Sequence, residues 1–160
     1  MGSQDTFRGA ENAFTFFFLY LQEVARTSGM EQAMALTTRV GETLGSELGA
    51  MLKLEADVAE FNARAAATLA QNLIEERFGM LSEIIEDKPD QVAFQIRMCP
   101  VYQAARQIGL DKDTIEALCH AGPLRYMDAL VKELDPRLSY RLRKFRSQAD
   151  GTCEEAIVLI

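Results

Sequence analysis

The hydrophobic period of this chain changes once, at Pro89, and that change limits what it can fold into. Before it, apolar residues recur every three and four positions, as on a helix face. After it, Val92, Phe94, Ile96 and Met98 alternate with Ala93, Gln95, Arg97 and Cys99, the period of a half-buried strand. Pro89 lacks an amide donor and disfavours helix at Lys88, so Glu86-Asp87-Lys88-Pro89-Asp90 reads as a stop. The expectation is a single α+β domain over 1–160. Long helices in 1–90 pack on a small, mainly antiparallel sheet in 91–160 with helices inserted between its strands.

In the first part, Asp5 to Arg26 reads as a helix that Ser28-Gly29 ends. Phe14, Phe17, Phe18 and Leu21 form its apolar face, widened by Phe16 and Tyr20. That face is core, or else an aromatic wall of a ligand pocket or dimer interface. Met30 to Glu86 holds no proline, so it is one very long helix or two with a short break. Leu36, Val40, Leu44 and Leu48 recur every four residues, and Gly41, Gly45 and Gly49 do so one position over. Each helical glycine costs roughly 1 kcal/mol relative to alanine, and close approach of another backbone is the usual compensation. A soluble helix crossing is the simplest use of the stripe, and a homodimer interface is another. Glu75, Glu76 and Arg77 read as a solvated helix end.

In the second part, Pro100 to Ile108 reads as a helix closed by Gly109. A second begins at a capping box led by Asp113, bends at Gly122-Pro123 and stops at Asp135-Pro136. Arg137 to Arg146 alternates again, Gln148 to Gly151 signals a hairpin, and Thr152 to Ile160 returns. The unbroken apolar run Ala156 to Ile160 suits a central strand.

The net charge of −7 repels phosphate backbones, which argues against nucleic acid as a partner. The longest apolar run, Phe14 to Leu21, is far short of the roughly 20 residues that span a membrane. No secretory signal is read at the N-terminus, and Met1 to Thr6 formally fits a myristoylation pattern. The three widely spaced cysteines form no disulfide framework, which suggests reduced thiols and a cytoplasmic setting. Their spacing fits no zinc pattern, and no motif names a cofactor.

The candidate chemistry lies in the last third. Cys99 ends a strand before a proline-started helix, where exposed amides favour the thiolate. Cys119 precedes His120, the only histidine, and Cys153 opens the last strand. If the strands pair as read, Cys99 and Cys153 approach one another. Arg97, Arg141 and Arg143 share a sheet face, extended by Lys144 and Arg146, and suit a small anionic ligand. The bland alternatives are buried structural thiols and a solvated basic strand face.

Arg97-Met98-Cys99-Pro100, Ile108-Gly109-Leu110, Cys119, Leu134-Asp135-Pro136-Arg137-Leu138 and Asp150-Gly151-Thr152-Cys153-Glu154 together resemble the L-2-amino-thiazoline-4-carboxylic acid hydrolase family, over about residues 91–160. His120-Ala121-Gly122 stands where that resemblance would place an acidic residue. The resemblance implies hydrolysis of a C–N or C–S bond in a small carboxylate substrate. Catalytic candidates are then Cys99, Cys119, Cys153 and His120, with Arg97, Arg141 and Arg143 holding the anion. The alternatives are a non-enzymatic small-ligand- or metal-binding sensor that uses the same cysteines, and a helical dimerisation module.

Overall fold

The computed structural model describes residues 3–160; the start of the myristoylation pattern, at residues 1–2, lies outside them. Helix α1 (Ser3–Ser28) and helix α2 (Met30–Glu55) meet at Gly29, whose φ of 90° only glycine adopts readily. Phe18 and Leu21 of α1 are buried, but Phe16 and Tyr20 point to solvent at 75% and 61% exposure. They do not widen the apolar face, because two residues along a helix is more than half a turn.

Met30 to Glu86 is neither one helix nor two alone. A break after α2 leads to α3 (Ala63–Phe78), capped by the Asn62 side chain on the Ala65 amide at 2.9 Å. Gly79 ends α3 in the left-handed region at φ 62°, while Met80 donates to the Ile74 carbonyl. The chain then enters strand β1 (Leu81–Asp87), which the sequence pattern did not predict. An edge strand exposed along most of its length carries little hydrophobic alternation. Glu75, Glu76 and Arg77 are indeed the exposed end of a helix.

Strand β2 (Gln91–Met98) turns back on β1, and α4 (Pro100–Gln107) follows with Pro100 in its first turn. Helix α5 (Lys112–Ala121) is capped by Asp111 and not by Asp113; the Asp111 carboxylate accepts from both the amide and the hydroxyl of Thr114. Helix α6 (Pro123–Leu134) restarts after Gly122. Strands β3 (Leu138–Lys144) and β4 (Cys153–Leu159) complete an antiparallel sheet in the order β1-β2-β4-β3. The apolar run at the C-terminal end thus supplies an interior strand, as expected.

The inner sheet face carries Val92, Phe94 and Ile96 of β2, Ile157 of β4, and Leu138 and Tyr140 of β3. It packs with α3 and α6 into one core, which Leu48 of α2 joins. A second core gathers Phe18 and Leu21 of α1, Ala33 of α2, and residues of α4 and α5. Helix α2 runs past both and lies directly on α6.

The glycine stripe makes that contact possible. A Cβ on Gly41 would fall 2.9 Å from the Gly122 carbonyl oxygen, and one on Gly49 2.6 Å from that of Leu130. Gly45 is tighter still against Tyr126. The stripe is therefore a crossing within the chain. It is covered by α6 and is not a surface for a second copy. Among the described residues, no helix is long and apolar enough to cross a membrane.

Candidate functional site

The two cores do not close on each other. Between them lies a cavity of about 940 Å3, near the upper end of the range of small-molecule sites. Phe14 and Phe17 of α1 form one wall, so that part of the aromatic face does line a pocket. Val40, Leu44 and Leu48 of α2 form another, and Met127 of α6 faces them. The lining is mostly apolar, with Thr37, Glu47, Arg77 and Tyr126 among its polar members.

In one part of the cavity the three cysteines lie near Tyr140, Arg146 and Glu155, close enough to influence one another's charge. Alternation alone would have put Cys99 on the outer sheet face beside Arg97. The strand stops at Met98, however, and Cys99 becomes the N-cap of α4, packed against both cores. Cys119 sits likewise between the cores on α5, and Cys153 is buried at the start of β4, opposite Ile96. All three thiols are free.

Burial works against the activated thiolate expected at Cys99. The amide of Tyr102 does favour the anion, but burial dominates and pushes the Cys99 thiol up to about 11. Burial raises Cys119 well above its ordinary value too, and the neighbouring thiols and Glu155 add to it. Both are neutral thiols at physiological pH.

Sequence reasoning missed the polar anchor of this cluster. Arg146, in the connection after β3, is only 1% exposed. Its Nε donates to Cys153 Sγ at 3.3 Å, Nη1 to the Arg97 carbonyl at 3.1 Å and Nη2 to the Ile96 carbonyl at 3.3 Å. Its guanidinium carbon lies 4.6 Å from the centre of the Tyr102 ring. Glu155 enters from β4, where the Tyr140 hydroxyl donates to its Oε2. Burial raises the Glu155 carboxyl to about 7, against the opposing pull of that bond and of Arg146. An available signal was strand phase: Cys153, Glu155 and Ile157 share one face, so an acid occupies an inward position.

The other candidates lie elsewhere. His120 is exposed on α5. Arg97 reaches Glu83 at 3.4 Å, Arg143 reaches Glu86 at 2.6 Å, and Arg141 is exposed beside Ser139. The three arginines do occupy the outer sheet face, as the alternation predicts. That face points away from the thiols, so they form no joint site with them. No group of three or more His, Cys, Asp or Glu residues positioned to hold a metal ion occurs among the described residues.

The L-2-amino-thiazoline-4-carboxylic acid hydrolase family matches residues 10–154, nearly the whole chain and not just its last third. No curated protein matches. Among solved structures, the chain is similar to trafficking protein particle complex subunit 3 from Naegleria fowleri, covalently bound to palmitic acid. The two share 11% identity over 95% of each chain with a TM-score of 0.62, a likeness of fold.

Proposed function

The chain belongs to the L-2-amino-thiazoline-4-carboxylic acid hydrolase family, and from its cavity we propose that it binds an elongated apolar molecule with one polar end, an acyl chain being the class that fits best. The carrying observation is the lining of the hollow: about 940 Å3 with mostly apolar walls and a buried polar cluster around Arg146 and Glu155. A small, highly polar thiazoline acid would leave most of that space empty. The palmitate held by the similar trafficking subunit supports an acyl occupant. Cys99, Cys119 and Cys153 then stand beside the head of the ligand as polar contacts. The cytoplasmic setting expected from the free thiols belongs to this reading.

The test is to incubate the purified chain with saturated fatty acids of increasing length. Affinity should rise with chain length, since each buried methylene contributes about 0.8 kcal/mol. Affinity independent of length would end the proposal.

Hydrolysis of a C–N or C–S bond in a small carboxylate is the second reading. One observation favours it: a carboxyl raised to about 7, a group able to take a thiol's proton, lines the same cavity as Cys99 and Cys153. Turnover of L-2-amino-thiazoline-4-carboxylic acid that disappears in both Cys99→Ser and Glu155→Gln would support it; no turnover by the folded chain would remove it.

A further inference from the structure

Resting on the acyl-chain reading above, we propose that the head of the ligand is a carboxylate, seated on Arg146 and taken up together with one proton that resides on Glu155.

Arg146 is a fixed, buried cation. Three of its five N–H groups are spent on Cys153 and on the carbonyls that end β2, which leaves one N–H on each terminal nitrogen. It makes no ion pair among the described residues. A buried guanidinium without a bound anion is costly, and a planar carboxylate is the group its remaining donors match. The Tyr102 ring beneath it and the three bonds hold its plane, so the donors are already oriented.

The neighbouring charges decide what must happen when an acid arrives. Helix α1 lines the cavity with no charged group, and α5 contributes only the neutral Cys119 thiol. Cys99, before α4, is neutral as well, and Tyr140 of β3 is pushed well above its ordinary value by burial and by Glu155. Tyr126 of α6 is raised by burial. Glu47 of α2 and Arg77 of α3 line the cavity but are exposed, where water screens them. Cys153 of β4 already accepts from Arg146.

Glu155 is therefore the anion that competes for Arg146. Two carboxylates on one buried guanidinium leave a net negative charge in an apolar hollow. Protonation of Glu155 removes it and turns that group into a donor toward the incoming carboxylate. Its value of about 7 places this step within reach of neutral pH. A ligand with a neutral head leaves the Arg146–Glu155 arrangement alone and takes up no proton.

The test compares dodecanoic acid with its methyl ester on the full chain between pH 6 and pH 9, by calorimetry in buffers of different ionisation enthalpy. The acid is expected to bind with uptake of about one proton at pH 8, its affinity falling about tenfold per pH unit above the Glu155 value. The ester is expected to bind with no proton uptake and no such slope. Glu155→Gln, which keeps a donor and removes the charge, should abolish the slope for the acid. Arg146 ties down the end of β2, so its replacement can unfold the chain; the Glu155 variant carries the decision. If acid and ester bind alike with the same flat profile, or if the slope survives in Glu155→Gln, the inference is wrong while the acyl-binding reading stands. If neither binds, the acyl-binding reading fails first. An intact-mass gain of one dodecanoyl group from the ester, with methanol released and a cysteine thioester formed, would also overturn it, because the head would then be a transferred acyl group.

Discussion

Helix α2 carries two neighbouring stripes, and the molecule uses them in opposite ways. Gly41, Gly45 and Gly49 let the backbone of α6 approach until no Cβ fits between them. Beside them, Val40, Leu44 and Leu48 face a hollow of about 940 Å3. One seam is closed to the last atom and the other is left open. Close packing is the normal state of an interior, so the open seam is the one that calls for a function. The tight seam also explains how the hollow survives: α2 is held rigidly on α6 and cannot collapse into the space beside it.

The largest effect should come from disturbing the closed seam. Gly45→Leu forces a side chain into the Tyr126 carbonyl, which is backbone and cannot rotate away. A loss of about 3 kcal/mol or more is expected, with the chain largely unfolded or insoluble, as urea denaturation would show. A stable Gly45→Leu protein would mean that the two helices are not locked.

The polar part of the open seam should show itself through pH. The folded Glu155 carboxyl titrates near 7, above its ordinary 4.5. Between those values the folded chain binds more protons than the unfolded one, so Glu155 contributes stability below about 4.5 that is lost as pH rises through 7. The loss is on the order of 1–3 kcal/mol. Glu155→Gln should flatten the fall in Tm from pH 5 to pH 8. Glu86 and Asp135, both held down to about 2 by arginine or lysine partners, act with the opposite sign, their contribution disappearing only as pH falls below their ordinary values.

Filling the open seam should separate stability from binding. Leu142 lines the hollow and is only half buried. Leu142→Trp is expected to move stability by no more than about 1 kcal/mol, because there is room for the ring. Acyl affinity should fall all the same, because the ring takes up part of the hollow. The smallest effect is expected on the outer sheet face: Arg97→Ala removes an exposed ion pair and should leave both Tm and fatty-acid affinity unchanged within error.

Periodicity showed the helices, three of the four strands and the closed seam, because a glycine every fourth residue has few physical uses. It missed β1, where an exposed edge strand has no buried face to impose alternation. It led to the three cysteines but placed Cys99 on the wrong side, since the strand ends one residue before it. Arg146 was legible as a basic residue and not as a buried one. Its burial depends on carbonyls some fifty positions away, at Ile96 and Arg97. The hollow itself left no local mark: residues that line a cavity have the same apolar character as residues that fill a core.

The most direct measurement is native mass spectrometry of the intact chain with hexadecanoic acid, run beside Leu142→Trp. One bound molecule per wild-type chain is expected, and a smaller bound fraction in the variant, whose ring narrows the hollow. Equal binding by both, or none by either, would contradict the acyl-binding reading.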